Sequence, residues 1–461
     1  MKKLLLLIII TPILVSGQST DNLNKLTPDE KVMGLSKIWK EVEYNFAYFE
    51  KLGTNKWDSL YLNMISSVQK TNNDYEYFRE LQRFISFLHD GHSYVRKFSN
   101  INLYTTVFYD YYIEFGWLEG KVVVTRISAD RKDELHIGTV LVEVNSMSTL
   151  EYLNKNVIPY ISASTEQARM NEAAYYIFDG LKNMEYSVKF IKPNKEELVL
   201  KLQHGWNDNK EMMNKVYPPK ESRDNVKFTW LDNDIAYLAI NTFSDSSIIA
   251  DFKKYLPELY KAKKLVLDLR ENRGGNTEVG LEIFKYFTSD SLIFGPKMRA
   301  RKHISSNKAN GSRIKKIDAT SYSWEKEAYL DYRNALYTEF DYEPYKNELV
   351  SKKIVIPTYI LIGYKTISAA EDFLVFTKNN KHIKTIGEKT AGSTGSPYFV
   401  DLPNNGQFAI CTLQSYYPDG SEYVGVGIVP DIEVKRTISG LINMKDEVLE
   451  KALELLKKQR K

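Results

Sequence analysis

A serine at a predicted strand-to-helix turn is the first residue in this sequence that could do covalent chemistry. The apolar run 354–363 predicts a buried strand, and Ser368 follows it at the start of a predicted helix. A turn of this kind exposes the serine Oγ, and the positive end of the helix favours the negative charge that develops in acyl transfer. The alternative is an ordinary helix N-cap, where serine is common. The other motifs of the chain decide between these interpretations.

Paired glycines follow a second predicted strand. The run 264–270 predicts a buried strand, and Gly274 and Gly275 come shortly after it. Because glycine has no Cβ, the backbone there can approach a ligand closely and direct an N–H group at it. A structural turn is the alternative for each glycine taken alone.

Three later segments complete a pattern. They span residues 387–393, 418–422 and 425–432, and the first carries Gly-Glu-x-Thr-x-Gly. Together with Asp-Leu-Arg-x-Asn-x-Gly-Gly upstream, they resemble the C-terminal processing (tail-specific) family of serine peptidases. The resemblance implies that Ser368 is a nucleophile that forms an acyl-enzyme. It covers most of the chain and is strongest over residues 265–432.

The base that activates the serine separates two branches of this family. In one branch a lysine lies 25 residues after the nucleophile, but that position is Ser393 here. The segment 87–94 resembles the histidine segment of the tricorn-core, or retinoid-binding-protein-like, branch, which implies His92 as general base. Histidine can accept and return a proton near neutral pH. The remaining histidines match no family segment and are interpreted as surface residues: His89, His136, His204, His303 and His382.

The resemblance also implies the partners of this base and nucleophile. Glu422 occupies the place of the branch's glutamate, which would orient the imidazole and stabilise its cation, and Asp419 is the alternative. The oxyanion hole would use the N–H of Ala369 together with that of Gly274 or Gly275, and the sequence does not distinguish the two glycines.

Ser93, next to the histidine, would supply the accessory hydroxyl of the family, with a solvent-exposed role as the alternative. No cofactor is expected. A metal site is not expected either, because no cysteine–histidine cluster has metal-ligand spacing. The single cysteine, Cys411, lies in an alternating run typical of a strand.

The first residues of the chain predict export. Lys2 and Lys3 precede an apolar run over residues 4–15, and small residues follow, which is typical of a signal peptide (1–17) cleaved near Gly17. The run is too short to span a membrane. We therefore expect a periplasmic or extracellular protein that is not inserted in the membrane.

The charge is almost balanced, with 63 Lys and Arg against 59 Asp and Glu. This balance argues against a nucleic-acid or anionic-membrane partner. The family resemblance implies protein or peptide substrates. The sequence indicates neither the oligomeric state nor the cleavage preference.

A multidomain α+β fold is predicted. Helical spacing of apolar residues predicts an N-terminal helical bundle over 24–100, opened by a capping box of Thr27 and Glu30. Residues 104–205 resemble a degenerate, β-rich PDZ-like domain. The family resemblance implies an α/β crotonase-like (ClpP/crotonase) peptidase core over 225–440, and 441–461 predict a C-terminal helix.

Residues 297–351 are predicted to be a long, irregular insertion that is polar and rich in Tyr and Lys. Such segments are often lids or binding loops, so this one could cover the cleft, with a surface excursion as the alternative.

Three functions are compatible with these residues. The first is an exported serine endopeptidase, favoured by the joint presence of His92, Ser368, Glu422 and the paired glycines. The second is a non-catalytic protein that binds a hydrophobic ligand or a peptide on the same fold. The third is an envelope chaperone or structural module that uses only the PDZ-like part.

Overall fold

The computed structural model describes residues 26–205, 215–220 and 224–458. The predicted signal peptide lies outside these residues. Across the described part of the chain, no helix is both long enough and apolar enough to cross a membrane.

Helices form the first part of the fold. The predicted capping box is confirmed: Thr27 Oγ1 accepts the N–H of Glu30 at 3.3 Å, and the Glu30 carboxylate accepts the N–H of Thr27 at 2.8 Å. Trp57 stacks on Phe84 with the ring centroids 4.2 Å apart, in the core between the helices. The helices are α1 (Pro28–Asn45), α2 (Phe49–Leu52), α3 (Thr54–Gln69) and α4 (Asp74–Ser86).

An antiparallel sheet follows in the middle of the chain. Its strands run in the order β2-β3-β4-β6-β7, with β5 beside β4 and β8 beside β3. Two helices, α5 (Thr149–Asn156) and α6 (Glu166–Tyr175), belong to this part. The strands are β2 (Ile113–Leu118), β3 (Lys121–Ser128), β4 (Val140–Val144), β5 (Met147–Ser148), β6 (Glu185–Ile191), β7 (Glu197–Gln203) and β8 (Val216–Tyr217).

A six-stranded sheet forms the third part of the fold. Its order is β21-β17-β16-β11-β10-β9, with every pair parallel except β9–β10. Because β11 and β16 are parallel neighbours, the turns that follow them meet at one edge of the sheet. The strands are β9 (Val226–Asp232), β10 (Ile235–Ile240), β11 (Lys264–Asp268), β16 (Thr358–Ile362), β17 (Ile383–Gly387) and β21 (Ile432–Glu433).

Helices cover this sheet. Every residue of β16 is buried, which is typical of a strand in a sheet with both faces covered. The helices of this part of the chain are α7 (Ser247–Lys254), α8 (Leu256–Leu259), α9 (Thr277–Phe284), α12 (Ala369–Thr377), α13 (Ile438–Ile442) and α14 (Glu447–Lys458), of which α13 lies against Gly138 of the middle part.

A small sheet joins the first part of the chain to the third. Strand β1 (Tyr94–Arg96) pairs antiparallel with β19 (Gly406–Cys411), which also pairs with β18 (Pro397–Leu402). Since β1 begins two residues after His92, this pairing carries the histidine to the six-stranded sheet.

The prediction that the insertion is irregular was wrong, because its elements are too short to give a clear periodicity. It docks on the N-terminal helices, where the Tyr337 hydroxyl donates to the Ala47 carbonyl at 3.0 Å. Its elements and their neighbours are β12 (Leu292–Ile293), β13 (Lys297–Arg301), α10 (Ser305–Gly311), α11 (Ser323–Tyr332), β14 (Tyr337–Glu339), β15 (Tyr345–Lys346) and β20 (Gln414–Tyr416).

Candidate active site

Ser368 lies at the turn between β16 and α12 in an unusual backbone conformation. Its φ is 62° and its ψ is −131°, a region that residues with a side chain rarely adopt. Holding such a conformation costs on the order of 1–3 kcal/mol and is typical of functional sites. The Ser368 N–H donates to the carbonyl of Ser393 at 2.9 Å, which fixes the turn.

His92 lies between two serine hydroxyls. Its Nε2 is 3.2 Å from the Oγ of Ser368, which is 276 positions away along the chain, and its Nδ1 is 2.6 Å from the Oγ of Ser393. Burial lowers the pKa of His92 to about 4. The imidazole is therefore neutral near neutral pH and able to accept a proton.

Glu422 is not a partner of His92 in this structure. Its carboxylate is exposed and pairs with the Lys51 ammonium at 3.0 Å. The neighbouring residue, Tyr423, is buried and donates its hydroxyl to Asp372 at 2.9 Å. Since adjacent residues of an extended segment point to opposite sides, Glu422 is directed to the surface. The geometry does not support the orienting role that the sequence analysis gave to Glu422.

Asp419, the alternative acceptor, is also occupied elsewhere. Its carboxylate accepts the N–H and the hydroxyl of Ser421 at 2.8 and 2.6 Å. Within the described ranges, no carboxylate forms a hydrogen bond or ion pair with the His92 imidazole, and the hydroxyl of Ser393 lies at its Nδ1 instead.

Ser93 is buried and fixes the turn that carries the histidine. Its hydroxyl donates to Asp90 Oδ2 at 2.6 Å and accepts the N–H of Cys411 at 3.0 Å. On the other side of the turn, the Gly91 N–H donates to Ser164 Oγ at 2.9 Å. Burial raises the pKa of Asp90 to about 6. Ser93 is therefore not exposed to solvent, and it does not touch the imidazole.

The paired glycines lie against the Ser368 turn. Gly274 has a φ of 83°, and a Cβ on it would lie 2.6 Å from the Ser368 Cβ. Its N–H donates to Asn272 Oδ1 at 2.8 Å. Of the backbone described here, the N–H groups of Gly275 and Ala369 have no hydrogen-bond partner. These two donors remain available to a ligand.

Glu371 is a buried carboxylate beneath the site that the sequence analysis missed. It accepts hydrogen bonds from Thr390 Oγ1 at 2.5 Å and from the N–H groups of Gly392, Ser393 and Ser368 at 2.8, 2.9 and 3.3 Å. Burial raises its pKa to about 8, against the effect of these donors. An acidic residue in the first turn of a helix is common, so no sequence pattern distinguished this one.

Asp372, the next residue, is buried as well. Its carboxylate accepts the hydroxyls of Thr277 at 2.6 Å and of Tyr423 at 2.9 Å. Burial raises its pKa. The two adjacent acids thus connect α12 to the turn that holds Ser393 and to the segment that holds Glu422. Within the described residues, no group of three or more potential ligands has the geometry of a metal site.

Comparisons with known proteins match this architecture. A carboxy-terminal-processing protease of Bartonella bacilliformis is 24% identical over 214 residues, which make up 45% of this chain and 40% of that protein. The match therefore spans less than half of that relative.

Solved structures share the fold. A mutant of CPAF superposes with a TM-score of 0.65 at 16% identity, covering 95% of this chain and 99% of that chain. A putative peptidase from Parabacteroides merdae superposes with a TM-score of 0.51 at 15% identity, covering 94% and 97% of the two chains. The predicted multidomain fold of helices and sheets agrees with these structures.

The sequence motifs predicted a serine peptidase of the C-terminal processing type, and the family comparison agrees. Residues 234–434 match the model of peptidase family S41, and this range holds Ser368, Ser393 and the paired glycines but not His92. Over this segment the chain is similar to peptidase family S41.

Proposed function

We propose that this chain is a serine endopeptidase of the tricorn-core branch, with Ser368 as nucleophile and His92 as general base. The observation that carries the proposal is the position of the imidazole, which lies 3.2 Å from Ser368 Oγ although it comes from a distant part of the chain. Nucleophile and base within hydrogen-bond reach are the signature of an activated serine.

The proton path follows from the two contacts of the imidazole. If Nδ1 carries the proton and donates to Ser393 Oγ, Nε2 is free to accept the proton of Ser368. Ser368 Oγ then bonds to the peptide carbonyl carbon. The imidazolium returns the proton to the leaving amine as the C–N bond breaks, and water hydrolyses the acyl-enzyme.

The oxyanion of the tetrahedral intermediate would be held by the N–H groups of Gly275 and Ala369. Of the two glycines, Gly275 is the better donor because the N–H of Gly274 is occupied by Asn272. Two fixed donors at this position stabilise the transition state by several kcal/mol, roughly 3 for each.

Ser393 would be the group that orients the imidazole. A hydroxyl fixes the tautomer as a carboxylate does, but it stabilises the imidazolium less because it carries no charge. A base with a pKa near 4 is also weak. We therefore expect a modest kcat and an acidic shift of the lower limb of the pH profile.

The rival function is the binding of a hydrophobic ligand or peptide without chemistry. Labelling with a fluorophosphonate probe separates the two. We expect wild-type protein to be labelled at Ser368 and to cleave casein, and we expect Ser368→Ala and His92→Ala to do neither. Glu422→Gln is the control that keeps labelling. An unlabelled wild-type protein that leaves casein intact but binds a lipophilic ligand would establish the rival function.

Two further features belong to the same proposal. Export with cleavage near Gly17 is supported by the charged and apolar pattern of residues 1–17, and the N-terminal sequence of protein recovered outside the cytoplasm tests it. A degenerate PDZ-like role for 104–205 is supported by the antiparallel strands β2–β7 with α5 and α6.

A further inference from the structure

A cavity of about 450 Å³ lies in the insertion. Its apolar wall is formed by Met298, Phe340, Tyr342 and Tyr345. Small-molecule and side-chain sites in proteins are commonly clefts of roughly 300–1,000 Å³ with aromatic walls. In the part of the chain that the structure describes, no residue lining this cavity forms a hydrogen bond with Ser368, and none of them lines the candidate active site described above.

The cavity also carries two carboxylates. Asp341 and Glu343 line it and are exposed, and among the described residues neither carboxylate has a hydrogen bond or an ion pair. The aromatic ring between them is fixed, because the Tyr342 hydroxyl donates to the Gly295 carbonyl at 3.1 Å. Aromatic faces and unpaired carboxylates both attract cations.

A cation of the chain itself already lies on this ring. The Lys297 ammonium is 5.3 Å from the centre of the Tyr342 ring, within the distance of a cation–π contact. With this ammonium set against the carboxylates of Asp341 and Glu343, one net negative charge remains. The cavity therefore has the charge and the walls to take a further cation.

The cavity lies at the far end of the helix that begins after Ser368. Tyr345 packs edge-on against Phe376 of α12, with the ring centroids 6.0 Å apart. Phe376 comes eight positions after Ser368, a rise of about 12 Å at 1.5 Å per residue. An extended peptide spans that distance with about four residues.

We propose that this cavity, formed by Met298, Phe340, Asp341, Tyr342, Glu343 and Tyr345, is an exosite for a lysine or arginine side chain of the protein substrate. The identity of its occupant as a substrate rests on the proposed peptidase function. Recognition of the basic side chain rests only on the cavity itself.

Binding to Ser368→Ala protein tests the exosite without any cleavage. The probe is a fluorescein-labelled acetylated pentapeptide with a central lysine between alanines, compared with the same peptide carrying norleucine. We expect the lysine peptide to bind about tenfold more tightly, as a cation–π contact joined to a carboxylate contact allows. Equal affinities would overturn the proposal.

Matched variants locate the effect. The double variant Asp341→Asn with Glu343→Gln, and separately Phe340→Leu, should reduce the preference for lysine to less than about threefold. Glu348→Gln, an exposed carboxylate of the same segment outside the cavity, should leave it unchanged. A lysine preference that survives in both cavity variants, with their melting curves intact, would overturn the proposal. Because no hydrolysis is measured, an inactive wild type would refute the peptidase function and not this exosite.

Discussion

Ser393 and Glu422 are the two candidate partners of the His92 imidazole, and their side chains differ in burial. The turn that ends at Ser393 is buried, and its hydroxyl lies 2.6 Å from His92 Nδ1. The Glu422 side chain is exposed, although the next residue, Tyr423, is buried, and the Glu422 carboxylate pairs with Lys51. The comparison shows that the position of a residue in a motif is not enough to assign its role. The direction of its side chain must also be known.

The same comparison explains the low pKa of His92. A carboxylate at Nδ1 would favour the imidazolium, whereas the buried hydroxyl of Ser393 carries no charge to offset desolvation. A carboxyl group lies deeper, on Glu371, which accepts the backbone N–H groups of the Ser393 turn, and burial raises its pKa to about 8. The buried carboxyl group thus acts on the positions of the two serines and not on the imidazole directly.

Removal of the proposed nucleophile or the proposed base should have the largest effect. We expect Ser368→Ala and His92→Ala each to lower kcat/KM for a fluorogenic peptide by about 10⁴-fold or more, because the two groups act as a unit. Melting temperatures should stay close to that of wild type. A His92→Ala enzyme with most of its activity would show that another base serves Ser368.

Glu371→Gln should have the second-largest effect on activity, and it should lower stability as well. The amide would place its NH₂ against buried donors, which costs on the order of 2–4 kcal/mol in the free energy of unfolding. We expect kcat/KM to fall about a hundredfold as the Ser393 turn shifts. Urea unfolding measures the first effect, with the exposed Glu278→Gln as control. Wild-type stability would contradict the role of Glu371 as the support of the site.

Ser393→Ala should have a smaller effect that is confined to kcat. Without the hydroxyl, neither the orientation nor the tautomer of the imidazole is fixed. We therefore expect kcat to fall about 10–100-fold with KM nearly unchanged. Ser396→Ala, at an exposed position three residues away, is the matched control. An unchanged kcat would remove Ser393 from the site.

Glu422→Gln should have the smallest effect. An exposed ion pair is worth about 0–1 kcal/mol, so kcat/KM should stay within about twofold of wild type. A loss of kcat/KM as large as that expected for Ser393→Ala would contradict this account. It would support the orienting role that the family pattern gives to Glu422.

Local signals in the sequence predicted much of the fold. The capping box of Thr27 and Glu30 and the turn at Ser368 depend on neighbouring residues, and the structure has both. The elements of the insertion were missed because contacts with distant helices define them, such as the one between Tyr337 and Ala47.

The site was predictable only where a local motif of the family marks the residue. The segments around His92 and Ser368 resemble family motifs that carry these chemical groups, and the structure places the two side chains together. The role of Ser393 depends on the pairing of β1 with β19, and the choice of Gly275 depends on the side chain of Asn272. Neither contact leaves a pattern in the linear sequence.

The central claim is that the His92 imidazole is held neutral between two hydroxyls, and its most direct test is a ¹⁵N NMR titration. The His92 signals are assigned by their absence from the spectrum of His92→Ala. Burial disfavours the charged form, so the midpoint should lie near pH 4, below the ordinary value of about 6.5. Above that midpoint, Nδ1 should carry the proton and Nε2 should be free. A midpoint at or above the ordinary value, or a proton on Nε2, would contradict this arrangement.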